Sequence, residues 1–480
     1  MSYSVAQNTS FLTLASILQK IVSFVYFTIV ARIIGVGNTG SYFFAITFTT
    51  IFTVVADFGL GPILTREAAK FTDRAGDYMN TVLASKILFG IATYFLVVFF
   101  TVILKYPLEL RNLILLSGVT MFFDNLQSSF FSIFRAQKNL IYESVAIVIS
   151  QILTLAIGTT ALLLHGSLIW LIAAYTIPSA VLVFYGAFFV RRVYHFKISP
   201  RIDSKIFRQF ILLAVPFALA GILGRLYSYS DTLIMSKLLT PQDLGWWSVP
   251  YKMTFAFQFI PMALSASVYP AMSSLTITDP SKIGELFVRA WKYLFIIIFP
   301  LSLGLIAIAR PVIVRLYGIQ YLPSVPVFRI LLVSLFFSYL SIISGALLNA
   351  TNHQKIQTGL IATVLVVNII LNLILIPKFG IICAAYVALF SNIVLWLLGL
   401  VFVRRVIALP SEKLLRNGAR ILCLAVIMAV LVYFLTLNFS IIFTIPIGVV
   451  VYGALLLLTG AVDRALLKNY LQRISLRKIV

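Results

Sequence analysis

Apolar runs of roughly 20 residues, the length a helix needs to cross a hydrocarbon core, recur along the whole chain between short polar segments. In the first half they fall near residues 11–34, 41–64, 81–104, 112–134, 140–164 and 167–190. The second half repeats the count, near 207–230, 244–273, 291–313, 325–348, 356–377 and 380–403, and two more runs follow near 418–436 and 440–460. Only helices and closed barrels satisfy every backbone polar group in lipid, and the short alternating segments of a barrel are absent. The pattern therefore predicts an all-α polytopic membrane protein with 14 transmembrane helices. Some connections can do little except turn, among them His165–Gly166–Ser167 and the Pro-Lys-Phe-Gly stretch at 377–380, since Gly and Pro permit tight reversals.

The halves also resemble each other. Sliding the chain by 205 residues lays the stretch from Ala31 over the stretch from Ser236, matching Arg32 with Lys237, Gly40 with Gly245 and Tyr42 with Trp247. The same offset pairs Lys20 with Arg225 and Ser23 with Ser228. In membrane proteins an internal repeat of this kind marks transporters with two bundles around a central site.

Charge orients the pattern. The segments 65–80, 135–140, 191–208, 274–290, 349–356, 404–420 and 461–480 hold 24 Lys and Arg, whereas the alternate loops hold five: Lys105, Arg111, Lys237, Arg315 and Lys378. Loop Lys and Arg favour the cytoplasmic side, so both termini are expected there. The most basic connection, Arg191 to Arg208, carries six of these residues. It reads as a cytoplasmic linker between an N-terminal six-helix lobe (1–190) and a C-terminal six-helix lobe (209–403), with 404–480 as a terminal helix pair and basic tail.

Composition narrows the classes. With 480 residues, 61% hydrophobic and 11% charged, the chain lies outside the range of soluble domains and leaves no room for a soluble catalytic domain. The net charge of +23 would suggest nucleic acid in a soluble protein, but here the basic residues gather beside spans, where orientation and anionic headgroups account for them. Cys383 and Cys423 fall inside apolar runs and read as reduced packing residues. The first run, with no Lys or Arg before Lys20 and no small-residue cleavage site, reads as a retained helix. Three histidines, nearly acid-free external loops and no phosphate-binding loop give no catalytic residues, metal site or ATP hydrolysis to expect.

The informative residues are charges inside the spans, where each costs about 2.5–3.5 kcal/mol unless it faces a partner, a cavity or water. Lys20 lies midway along the first span, and Thr13, Ser16, Lys20 and Ser23 form one polar stripe that should face a cavity; pairing to an acid or snorkelling is the bland alternative. Arg225, with Gly221, Gly224 and Ser228 beside it and Asp231 six residues on, has room for a ligand or a close helix. Lys252 lies deep in the eighth span, while Arg32, Arg310 and Arg329 lie near span ends. Asp124, beside Asn125, Gln127, Ser128 and Ser129, would either accept a coupling proton or neutralise Lys20. Asp57, in Ala-Asp-Phe-Gly-Leu-Gly-Pro, would cap a broken helix near Gly59, Gly61 and Pro62. Two basic centres related by the repeat would attract an anion such as a lipid phosphate or pyrophosphate.

At this point the chain resembles the polysaccharide and lipid-linked oligosaccharide flippases of the multidrug/oligosaccharidyl-lipid/polysaccharide exporter superfamily. The resemblance rests on ARIIGVGNTGSYFFA, DTLIMSKLLTPQDLGWWSVPYKM from Asp231, GALLNATNHQK from Gly345 and NLILIPKFGIICAAYVALFSN from Asn372. It implies two six-helix lobes plus a terminal pair in the cell (plasma or inner) membrane, moving a polyprenyl-linked sugar unit outward by alternating access. The basic-cavity role carries over to Lys20, Arg225 and Lys252, with Arg32 as a further candidate, and a coupling or ion-pair role to Asp124, Asp57 and Asp231. No cofactor is implied; a proton or sodium gradient, or product removal, would drive export. Implied partners are the lipid-linked oligosaccharide, membrane lipids and glycosyltransferases or a polymerase of the pathway, with the chain a monomer. A cation-coupled multidrug exporter, a lipid II flippase and a membrane glycosyltransferase or polymerase remain alternatives, the first weakened because the first helix has no acid.

Overall fold

The computed structural model describes residues 5–409 and 411–461. The basic tail at 462–480 therefore lies outside the described residues. Sixteen α-helices run in order: α1 (Val5–Ile34), α2 (Val36–Asp57), α3 (Leu60–Lys70), α4 (Ala75–Ile103), α5 (Leu108–Ala136), α6 (Ile141–Leu163), α7 (Leu168–Tyr194), α8 (Ser204–Leu238), α9 (Pro241–Phe257), α10 (Phe259–Thr278), α11 (Ile283–Ala307), α12 (Ala309–Tyr317), α13 (Ser324–Ala350), α14 (Gln354–Val406), α15 (Ser411–Asn438) and α16 (Ile441–Leu458). No strand occurs among the described residues. Twelve helical segments among them are long and apolar enough to cross a membrane. The protein is an all-α, multi-pass integral membrane protein.

The chain divides into two compact units, Met1–Ser248 and Val249–Val480. In the first, α5 is the central helix and packs against α2, α3, α4 and α7, while α1 packs on α6 and α8 on α2. The core at one end of this unit is apolar and aromatic, with Leu64, Met79, Ile133, Phe134, Val190 and Ala214 fully buried. In the second unit α13 takes the central place, against α10, α11, α12 and α14, and α15 packs on α11 and α16.

Helix ends follow the local chemistry. Four helices stop in the same way, with a left-handed residue whose amide and the next one bond back into the last turn. At the end of α6, His165 has φ 51°, its N–H bonds to the carbonyl of Leu162, and that of Gly166 to Ala161. Lys105, Lys138 and Asn352 end α4, α5 and α13 likewise. The left-handed position of the His165–Ser167 turn is thus the histidine, with the glycine one place later. Within α14 the helix is interrupted at Gly380 (φ 66°, ψ −152°), a conformation open essentially to glycine alone, where the sequence places the turn.

Two asparagines tie connections down. Asn8 donates to the carbonyl of Lys138 (2.8 Å) and accepts from the Leu140 N–H (3.3 Å). Asn80 donates to the carbonyl of Lys197 and accepts from the Ser199 N–H, both at 2.9 Å. The basic linker is therefore strapped to the start of α4. Asp203 then caps α8, its carboxylate accepting from the N–H groups of Lys205 (2.8 Å) and Ile206 (3.1 Å). Those two backbone bonds hold its carboxyl below the usual carboxylate range.

Candidate functional site

One buried ion pair of the first unit lies where α2 breaks. Asp57 is the last residue of α2; Phe58 turns left-handed with φ 47° and Gly59 with φ 73° before α3 begins at Leu60. The glycine supplies the second positive φ at no steric cost, so the break lies where the Phe-Gly-Leu-Gly-Pro stretch predicts it. A break of this kind frees backbone carbonyls at the end of the first helix, and side chains take them up. Asn125 donates to the carbonyl of Ala56 (2.9 Å), and Ser132 adds a bond to that of Gly61 in the first turn of α3 (3.2 Å).

Lys86, on α4, fills the same place. Its side chain is fully buried, with Nζ 2.6 Å from Asp57 Oδ1. It also donates to Ser128 Oγ (2.6 Å) and to the carbonyl of Asn125 (3.4 Å). The three ammonium protons thus find three acceptors, the full complement of a lysine. Lys86 is absent from the sequence candidates. A lysine five residues inside the expected third span reads as one that reaches the interface, and its acid lies on another helix. The available signal is Asp57 itself, an intramembrane acid that calls for a base.

One turn along α5, Asp124 is exposed and its Oδ1 accepts from Gln127 Nε2 (2.7 Å) and from the hydroxyl of Ser179 on α7 (2.6 Å). No ion pair joins it to Lys20 among the described residues. Further along the same helix, Thr120 and Thr176 share a hydrogen bond of 2.7 Å, and Ser117 and Thr49 another of 2.7 Å. A line of polar pairs therefore follows α5 through the first unit, joining it to α2, α4 and α7.

Lys20 is exposed on α1, and Arg225 is half-buried on α8; both helices pack against α2. Among the described residues neither side chain makes a hydrogen bond or ion pair. The glycines beside Arg225 divide the two roles offered for them. A Cβ on Gly221 would stand 2.8 Å from Val54 Cγ1, so this glycine admits a close helix, whereas Gly224 has nothing within 4 Å and opens on free space. Arg32 is exposed in the last turn of α1, and Asp231 is buried in α8. Lys252 is half-buried on α9 and belongs to the second unit. No cluster of three or more His, Cys, Asp or Glu that could hold a metal occurs among the described residues.

Charged and polar side chains gathered beside a helix interruption within membrane spans are the default mark of a functional site. Residues 5–276 match the family described as polysaccharide biosynthesis protein, and the chain belongs to that family. It is 31% identical over 173 residues to the "probable flippase AglR" of Haloferax volcanii, covering 34% of this chain and 35% of that protein. The "probable low-salt glycan biosynthesis flippase Agl15" of the same organism is 23% identical over 163 residues, 34% of each chain. The chain thus spans about a third of the length of these two curated relatives. Among solved structures it is similar to the lipid II flippase MurJ in an inward closed conformation, with a TM-score of 0.75 and 20% identity over 92% of this chain and 97% of that one. An inward-facing multidrug resistance MATE transporter gives a TM-score of 0.68 and 13% identity over 82% and 95%. At these identities the two structures establish the fold.

Proposed function

We propose that the protein is a flippase that carries a polyprenyl-(pyro)phosphate-linked oligosaccharide from the cytoplasmic to the outer leaflet of the cell membrane by alternating access. The observation that carries this reading is that Lys20 and Arg225, related by the 205-residue offset, both stand inside membrane helices without a bonded partner among the described residues. Uncompensated charge in a span is costly, and an anionic headgroup would compensate it. Arg offers a fork and Lys a mobile point charge to the phosphate, with Arg32 as a further contact and Lys252 a separate candidate in the second unit, while the lipid tail stays in the bilayer. The family match and the names of the two Haloferax relatives support the same cargo class.

The twelve apolar segments become 14 spans when α14 is counted twice across Gly380 and α5, 29 residues long, is added. In this reading both termini are cytoplasmic, 1–190 and 209–403 form two six-helix lobes, 404–480 supplies the terminal pair and tail, and the chain works as a monomer beside the enzymes that build and consume its cargo. Asp124 is the first candidate for a coupling proton or sodium ion, since it is exposed and no ion pair holds its carboxylate among the described residues, whereas Asp57 is held by Lys86; Asp231 is the third.

The test is movement of a lipid-pyrophosphate-linked oligosaccharide in proteoliposomes, with Lys20→Ala and Arg225→Ala at matched incorporation. Loss of a charge-assisted contact of about 1.5–3 kcal/mol should slow movement by roughly ten- to a hundredfold in each. Unchanged movement in both variants returns these charges to a structural role, and transport of hydrophobic cations instead of the glycan lipid makes the chain a drug exporter.

A further inference from the structure

The beginnings of α2 and α9 cross through glycine. A Cβ on Gly40 would overlap the carbonyl oxygen of Pro241 and stand 2.7 Å from the amide nitrogen of Gly245. A Cβ on Gly245 would overlap the carbonyl oxygen of Val36 and stand 2.8 Å from its carbonyl carbon. Gly37 sits in ordinary contact range of Gln242, whose Cδ would be 3.6 Å and Cγ 3.8 Å from an added Cβ. All of these atoms lie within the first compact unit.

The contacts obey the sequence repeat. An offset of 205 carries Val36 to Pro241, Gly37 to Gln242 and Gly40 to Gly245, and Val36 and Pro241 are the first residues of α2 and α9. The Val36–Gly245 contact and the Gly40–Pro241 contact are therefore one contact seen from its two copies. Gly37 with Gln242, and Gly40 with Gly245, are positions that meet their own counterparts. Reciprocity of this kind belongs to surfaces related by a two-fold axis, and residues that touch their own counterparts lie on that axis. The counterparts further along, Tyr42 and Trp247, are both buried.

We propose that this crossing is the closed outer gate, where the two-fold axis of the repeat passes and the two copies seal the outer end of the cargo path. The proposal rests on the alternating-access reading and on the orientation that places the α1–α2 and α8–α9 connections outside. Backbone meets backbone at Gly40 and Gly245, as at glycine crossings of membrane helices generally, and the side chains of Val36 and Gln242 lie against the crossing. Such a contact is close and water-excluding.

The experiment is a reversible lock, Gly37→Cys with Gln242→Cys in a background of Cys383→Ser and Cys423→Ser. An added Cβ at position 37 would lie 3.8 Å from Gln242 Cγ, about where a cysteine's Sγ would stand, which puts a disulfide within reach of small side-chain adjustments. Oxidation in membranes should form the disulfide and stop translocation of the lipid-linked oligosaccharide, and a reductant should restore it. Failure of the disulfide to form, or undiminished translocation with the disulfide complete, overturns the gate. A second arm needs no cargo. Gly40→Ala, which cannot keep the crossing closed, should speed the reaction of a lone Gly37→Cys with an externally added, membrane-impermeant maleimide by about fivefold or more, the scale of an overpacked contact. An unchanged rate overturns the proposal. If the parent protein moves no glycan lipid, the flippase reading falls while the maleimide arm still decides the gate.

Discussion

Removing Asp57 alone from the Asp57–Lys86 pair should cost far more than removing both members. At 2.6 Å, and with an effective dielectric constant of about 20, the gross attraction is about 6 kcal/mol. Stripping one partner from a buried pair typically costs about 3–5 kcal/mol, because the remaining charge stays buried. Lys86 is fully buried and Asp57 is 30% accessible, so the two single variants are unequal. Asp57→Asn leaves the ammonium with only Ser128 and a backbone carbonyl, and should cost about 3 kcal/mol. Lys86→Met leaves a carboxylate that water can reach, and should cost about 1–2 kcal/mol. The double variant has no buried charge to strand and should return to within about 1 kcal/mol of the parent, a coupling energy of about 3 kcal/mol. The apparent melting temperature of the detergent-solubilised protein reads this out. For a unit of this size, at about 2–4 °C per kcal/mol, Asp57→Asn should melt about 6–12 °C lower and the double variant should recover most of the loss. Single variants that melt with the parent, or a double variant that falls by the sum of the two, would refute the pair as the element that holds the α2 break.

The strap on the linker is testable by proteolysis: Asn80→Ala removes two hydrogen bonds worth about 1 kcal/mol each, so trypsin should cut after Lys197 or Arg201 roughly tenfold faster or more, and an unchanged rate would show that the linker is held by something else. The cap on α8 should give a pH signature, since a carboxyl held below its ordinary value stabilises the fold above about pH 4 and loses that contribution as pH falls through its lowered native value. Hydrogen exchange of the Lys205 and Ile206 amides should accordingly lose protection, beyond the intrinsic rate change, as the medium is taken below that range; in Asp203→Ala protection should be low at every pH.

What could be read beforehand was whatever a local rule controls. The break after Asp57 follows from Phe-Gly-Leu-Gly-Pro, because glycine tolerates the positive φ that a helix interruption demands, and it appears at Phe58 and Gly59. The offset of 205, found by matching residues such as Gly40 and Gly245, recurs as the separation of the first residues of α2 and α9. Lys86 escaped because its role is tertiary. Nothing within a turn of it announces a carboxylate, and a basic residue near a span end has an ordinary explanation in snorkelling. Asn8 and Asn80 escaped for a related reason, since an amide that clamps a distant backbone leaves no period in the sequence. The turn at His165 shows the limit of composition even locally. The glycine in His-Gly-Ser marks the turn, but the left-handed position is set by which residue ends α6, and that is the histidine.

The strapped linker also bears on where motion can occur. Read from the sequence, Arg191 to Arg208 is a basic cytoplasmic linker between two six-helix lobes. In the structure it is bonded along its length: Asn80 holds Lys197 and Ser199, Thr81 accepts from the Asp203 N–H at 3.5 Å, and Arg201 pairs with Asp77 at 3.4 Å. Its cap then starts α8, which packs against α2, α3 and α4. Swinging α8 about this linker would break the Asn80 and Thr81 bonds together. A joint should instead be a place where few bonds oppose bending, and helix interruptions are such places. Gln258, between α9 and α10, ends its helix with a 3.1 Å bond to the carbonyl of Phe255, and Pro250 and Pro261 on either side each withhold a backbone donor. The charge-rich linker is therefore an anchor for the first unit, and the bending that the proposed alternating access requires has lower-cost sites in the α9–α10 segment.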